Sequence, residues 1–108
     1  MTSRRVRLLE EAVMDLESGR EFYDRNGCAV GDYFTESLLS DLVELKLHAG
    51  IHPVRHGWHR LLSRRFPHAI YYEYDVEEVR VGAVLDMRRS PRWITRSLVR
   101  RRKGRDEA

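Results

Sequence analysis

Apolar side chains in the first quarter of the chain return at helical spacing. Ala12, Leu16, Gly19 and Tyr23 fall at i, i+4, i+7 and i+11, with Val13 beside them and Glu11, Asp15, Glu17 and Asp24 on the remaining positions. This pattern predicts an amphipathic helix. Residues 6–9, just before it, form a short apolar stretch that reads as a first strand. Asn26-Gly27 supplies residues that tolerate a left-handed backbone and so ends the helix, and Gly31 marks the start of the next segment. A second helix is predicted over residues 32–48, where Phe34, Leu38, Leu42 and Leu45 make one stripe that Leu39 and Val43 widen. Pro53 and two glycines then interrupt any period over residues 49–57, which read as a connecting loop.

Beyond this loop the period changes. Residues 61–66, 69–75 and 79–86 are strand-length runs rich in Val, Ile, Tyr and Phe, separated by Pro67-His68 and by Val76-Glu77-Glu78, and they predict an antiparallel meander. In the third run Val79, Val81, Ala83 and Leu85 alternate with Arg80, Gly82, Val84 and Asp86, so strict alternation gives one wholly apolar face for the helix pair to cover. Ser90-Pro91 fits an N-cap followed by a first helical position, and Ile94 and Leu98 lie four apart. A basic helix over residues 91–103 is expected, ordering on a partner. The fold class is α+β: an N-terminal strand, a two-helix hairpin packed on a small antiparallel sheet, and a basic C-terminal segment.

A length of 108 residues with 42% hydrophobic content suits one domain, expected over residues 1–96, with residues 97–108 as a basic tail or helix end. No apolar run approaches the ~18 to 20 residues of a membrane span, and the start Met-Thr-Ser-Arg-Arg is not followed by the apolar segment of a secretion signal. The expectation is a cytoplasmic protein without membrane contact. The single Cys28 excludes an internal disulfide. The charge is unevenly spread: residues 1–87 carry 11 Lys and Arg against 15 Asp and Glu, whereas residues 88–105 carry nine cations and no acid. Such a block attracts phosphates or an acidic protein, or is simply a solvated tail.

His48, His52, His56 and His59 fall within twelve residues. Pro53 and Gly57 break the helix that would align them, and no sulfur or carboxylate lies among them, so polar loop histidines are the default over a zinc site, and neither metal nor cofactor is expected. Phosphate-cradling glycines and nucleophile settings are absent from the sequence. RNA cleavage through a ribose 2′-hydroxyl still suits a small basic α+β chain. It needs a base, an acid and fixed cations around the phosphorus. Arg64, Arg65, Arg88 and Arg89 offer the cations, and Asp86, Glu73, His59 and His68 are the proton carriers to weigh, each more commonly an ordinary surface or packing residue. Arginine itself does not serve as the base. Tyr71, Tyr72 and Tyr74 could stack bases, but tyrosines filling a pleated sheet are the commoner case, with Tyr72 and Tyr74 on one face and Tyr71 on the other.

The string Arg60-Leu61-Leu62-Ser63-Arg64-Arg65-Phe66-Pro67-His68-Ala69-Ile70-Tyr71-Tyr72-Glu73 resembles the RelE/ParE toxin superfamily of bacterial type II toxin-antitoxin systems. So does Val81-Gly82-Ala83-Val84-Leu85-Asp86-Met87-Arg88-Arg89-Ser90-Pro91, a strand running into an arginine-rich ending, and so does Ala12-Val13-Met14-Asp15-Leu16 with Phe22-Tyr23. Together the similarity covers about residues 6–96. It implies a toxin held inactive by a cognate antitoxin, acting on DNA gyrase in the ParE-like branch or cleaving messenger RNA on the ribosome in the RelE-like branch. Operator DNA would be met only through the antitoxin complex. The chain departs from the nuclease pattern: no tyrosine follows Tyr74, no histidine follows His68, and Asp86 stands where relatives often carry His. That favours the ParE-like branch, with Arg88, Arg89, Arg92, Arg96, Arg100, Arg101 and Arg102 as target-binding cations. The nuclease alternative would use Arg64, Arg65, Asp86 and Arg88. A non-toxic relative that only represses its operon with the antitoxin is the remaining alternative.

Overall fold

The computed structural model describes residues 3–107. Met1, Thr2 and Ala108, which the expected domain bounds include, lie outside the described residues. The element order is β1 (Arg5–Leu8), α1 (Glu10–Asp24), α2 (Cys28–Val43), α3 (Leu45–His48), β2 (Val54–Arg55), β3 (Trp58–Leu62), β4 (His68–Tyr74), β5 (Glu78–Asp86) and α4 (Pro91–Glu107). The five strands form one mixed sheet in the order β1-β5-β4-β3-β2. β3, β4 and β5 are the expected antiparallel meander, and β1 joins β5 in parallel, Arg5 opposite Glu78 and Leu8 opposite Val81.

The helix hairpin covers one face of this sheet, with α2 beginning four residues before the predicted position. Gly27, at φ 118°, makes the break alone. Gly31 therefore lies inside α2, where the Asp24 carboxylate occupies the space a Cβ would need. Ala12, Leu16, Phe34, Leu38, Leu42 and Leu45 close over Ile70, Tyr72, Val79, Val81 and Val84 to form the larger core. Burial of each large apolar side chain here is worth ~1.5 to 3 kcal/mol.

Two sequence expectations are corrected. The first concerns β5. Val79 and Val81 do face the helix hairpin, but Ala83 and Leu85 face the other way and Val84 takes their place. A bulge is the cause: Tyr71 pairs with Ala83 and its neighbour Tyr72 with Val81, so Gly82 is an extra residue that reverses the alternation beyond it. The Trp58 ring fills the space above Gly82, so no side chain fits there. The second concerns residues 49–57 and 61–66. The loop contains β2, and β3 starts at Trp58, because His56 (φ 52°) and Gly57 (φ 83°) form a two-residue hairpin turn of the kind that needs two left-handed positions. β3 ends at Leu62, and residues 63–67 bend back so that Ser63 N–H bonds His68 C=O.

The second face of the sheet is also covered. α4 runs to Glu107, past the expected end at 103, and lays Leu98, Ile94 and Trp93 on Trp58, Ala69, Tyr71, Ala83 and Leu85. Trp58 Nε1 donates to Leu98 C=O at 3.1 Å and fixes the helix over the bulge. The basic segment is thus docked on its own chain rather than waiting for a partner.

Candidate functional site

β4 begins and β5 ends at the same edge, which brings His68 opposite Asp86 in register. Arg88 folds back on Asp86: its N–H donates to Oδ1 at 2.8 Å, its Nε to Oδ1 at 3.0 Å and its Nη2 to Oδ2 at 2.7 Å. Nη2 also donates to the Tyr23 hydroxyl at 3.2 Å, and the guanidinium lies over Phe22 at 5.8 Å. These bonds from Arg88 hold the Asp86 carboxyl below its ordinary value against the opposing effect of burial, and raise Arg88 in turn. His68 is buried against Phe34 and Tyr23, and its Nδ1 has no hydrogen-bond partner. Burial pushes its pKa down, Asp86 pulls it up and Arg88 pushes it down again.

An open cleft of about 270 Å³ leads to this edge between α1 and the start of α4, lined among others by Asp15, Phe22, Tyr23, His68, Asp86 and Trp93. α4 starts at its rim because Ser90 Oγ accepts the Trp93 N–H at 3.1 Å, the expected cap. Arg89 stacks on Trp93 with 3.8 Å to the ring centroid. Arg64 and Arg65 lie on the 63–67 bend. Arg64 pairs with Glu44, Arg65 is exposed, and among the described residues neither bonds Asp86 or Arg88. The structure therefore joins Asp86 with Arg88 and leaves the other two proposed nuclease cations apart from them. Glu73 and His59 are elsewhere: Glu73 is tied to Arg80 and Arg105, and His59 is stacked on Tyr72. Tyr71 and Tyr72 are buried on opposite faces as packing residues.

The arginines of α4 expected to bind a target differ in their surroundings. Arg101 is turned inward with 10% of its side chain exposed, donating to Asp15 through Nη1 at 2.6 Å and Nη2 at 3.0 Å, and to Gly82 C=O at 3.1 Å. Its expected availability to a partner is corrected for that reason: an internal carboxylate holds it. Arg100 bonds Glu11 at 3.1 Å in an exposed pair, and Arg102 lies over the Trp58 ring at 5.7 Å. Arg92 and Arg96 are exposed and make no ion pair among the described residues. The acidic face of α1, read from the sequence only as the polar side of an amphipathic helix, is thus the seat of α4. Asp15 was the readable signal, since it sits on the polar side of a helix beside the apolar stripe.

The histidines of residues 48–59 serve local structure. Tyr72 OH accepts the Gly50 N–H at 2.9 Å and bonds His52 Nδ1 at 2.5 Å, and His59 Nδ1 bonds His52 C=O at 2.9 Å. Among the described residues no three His, Cys, Asp or Glu side chains are grouped to hold a metal ion. No described helix is long and apolar enough to cross a membrane.

One chain of the solved structure of the chromosomal ParDE TA system from P. aeruginosa superposes on this chain with a TM-score of 0.68 at 15% sequence identity, covering 76% of this chain and 94% of that one. The fold is ParE-like. No family model matches the sequence, and no curated protein matches it.

Proposed function

We propose that this chain is the toxin of a type II toxin-antitoxin pair, of the ParE-like branch, acting on DNA gyrase in the cytoplasm and neutralised by a cognate antitoxin. The observation that carries the reading is the ParE-like fold over 94% of a chain from a ParDE structure. The bonding of Arg88 supports the gyrase branch over RNA cleavage. Its guanidinium is committed to Asp86 through both Nε and Nη2, so the sheet end carries a neutral pair where phosphoryl transfer needs an uncompensated cation. Target binding falls to the cations on the outer side: Arg92 and Arg96 first, with Arg88, Arg89, Arg100 and Arg102 around them, and Arg101 as the residue that positions the helix.

His68 favours the second reading. A buried imidazole with an unpartnered Nδ1, in register beside Asp86 and within reach of the Arg88 charge, has the elements of a proton carrier beside a cation. Inducible expression in a bacterium, with and without the antitoxin, separates the two. Growth arrest with altered plasmid supercoiling and intact messages supports the gyrase reading, as does loss of arrest in Arg92→Glu/Arg96→Glu with an unchanged denaturation midpoint. Cleaved messages that become intact in His68→Phe would establish the RNA reading instead. Unimpaired growth with a soluble product would leave only the operon-repressing role.

A further inference from the structure

β1 pairs with β5 only as far as Val81, so residues 82–86 have no strand beside them on that side. Main-chain groups on such a stretch need partners from elsewhere. Leu9 N–H bonds Val81 C=O at 2.9 Å, Arg101 Nη1 donates to Gly82 C=O at 3.1 Å, and Asp15 Oδ2 accepts Val84 N–H at 2.9 Å. At the far end Arg89 N–H bonds Asp86 C=O at 3.2 Å. Between them lie Val84 C=O and Asp86 N–H. Ser63 N–H on His68 C=O and Met87 N–H on Pro67 C=O fix the phase of the ladder: Ala69 and Leu85 exchange bonds, while Val84 and Asp86, opposite Ile70 and His68, turn away from β4. Among the described residues no group bonds Val84 C=O or Asp86 N–H.

Val84 and Asp86 line the cleft of about 270 Å³ between α1 and the start of α4. Because α1 covers one face of the sheet and α4 the other, the plane of the sheet continues from these two residues into a slot with Phe22 on one side and Trp93 on the other. His68 Nδ1, also without a hydrogen-bond partner, belongs to a residue of the same lining. The Asp15 and Asp86 carboxylates are each paired with an arginine, Arg101 and Arg88, so neither brings unbalanced charge to the slot.

We propose that this cleft binds a small planar nitrogen heterocycle with an N–H donor next to an acceptor on one edge, as in an aminopurine, the donor meeting Val84 C=O and the acceptor Asp86 N–H. A flat ring lying in the sheet plane makes both bonds at once and rests its faces against Phe22 and Trp93. An extended chain does not fit, because Asp15 on one side and the turn at residues 86–89 on the other close the edge after these two groups. The volume lies just below the ~300 to 1,000 Å³ of sites for drug-sized ligands, which suits a single bicyclic ring. Arg89 is the one cation of the lining, too little for a phosphate backbone, so the ligand is a free small molecule rather than a base in a strand. The site rests on neither reading of the function and holds whether or not the chain arrests growth.

The test titrates the whole isotope-labelled protein with adenosine, with its dimethylamino analogue, which lacks the donor, and with indole, which has a donor but no adjacent acceptor. Adenosine should move the Asp86 amide resonance in NMR spectra and quench Trp93 fluorescence. The dimethylamino analogue and indole should bind about tenfold or more weakly, since each leaves one strand group unanswered. Ser18→Leu, at an exposed helix position lining the cleft, narrows the slot and should weaken adenosine binding by about tenfold or more. Phe22→Ala, also exposed, removes one wall and should weaken it too, and an unchanged denaturation midpoint shows that either variant is folded. An unmoved Asp86 amide, equal binding of adenosine and its dimethylamino analogue, or unchanged affinity in Ser18→Leu overturns the proposal. Tighter binding of an oligoadenylate than of adenosine overturns it in favour of a strand-binding surface.

Discussion

Replacing Asp15 with Ala should detach the end of α4 from the sheet, and the cost can be worked out from its bonds. Oδ2 accepts both Val84 N–H at 2.9 Å and Arg101 Nη1, while Oδ1 accepts Arg101 Nη2, so one carboxylate holds α1, the strand just past the bulge and the last helix. Removal leaves a guanidinium with 10% of its side chain exposed and a backbone N–H without an acceptor. Breaking one side of a buried pair costs ~3 to 5 kcal/mol. Glu11, 3.2 Å from Arg101 Nε and 45% exposed, remains as a partial partner, so the low end, about 3 kcal/mol, applies. A loss of that size lowers Tm by roughly 12 °C in a domain of this length. Urea unfolding followed by tryptophan fluorescence reads it directly, since Trp58 lies against α4 and Trp93 belongs to it. The double variant Asp15→Ala/Arg101→Met removes the stranded charge and should recover at least ~1 kcal/mol relative to the sum of the single variants. A single variant within ~1 kcal/mol of the parent, or strict additivity in the double, refutes the reasoning.

Other outcomes follow from the same geometry. Arg100→Ala breaks an exposed pair and should change stability by less than about 0.5 kcal/mol, an effect that disappears in high salt. Gly82→Ala drives a methyl into the Trp58 ring and should cost ~1 to 3 kcal/mol with a shift in tryptophan emission. Burial, then His59 and His48, lower the pKa of His52, and burial foremost lowers that of His68, so both lie below the ordinary 6.5 when folded. The unfolded chain then binds more protons, and stability that is complete above pH 6.5 should fall as the pH drops through that value. The denaturation midpoint measured against pH should show that slope, and His52→Gln should flatten it. An unchanged slope would discount the burial of His52 as its source.

Periodicity was enough to place α1, α2, β4 and β5, since each carries an amphipathic pattern long enough to outweigh local exceptions. It failed at Gly82. A bulge changes the facing of every later residue in a strand, and the cause, the Trp58 ring, lies on a different strand. The β2–β3 turn was hidden for a related reason: His56 is a non-glycine residue in a left-handed conformation, which its residue type does not announce. At the sheet end Asp86, Arg88 and His68 were all visible as chemistry-bearing residues, yet their grouping depends on the β4–β5 register. The arginines of α4 looked alike in the sequence. Only the carboxylates of α1, far away along the chain, distinguish Arg101 from Arg92 and Arg96.

The clasp between Asp15 and Arg101 joins residues 86 positions apart, and β1 pairs with the strand that begins at Glu78. The first closure waits for α4 to be made and the second for β5. During synthesis the hairpin can form early, but the first strand has no neighbour until β5 has left the ribosome, and the back of the sheet has no cover until α4 has followed it. Non-local closure of this kind slows folding and leaves apolar surface open in the meantime. Whatever the helix contacts, the nascent chain cannot reach it with the arginines in their final positions until α4 has been made and has docked.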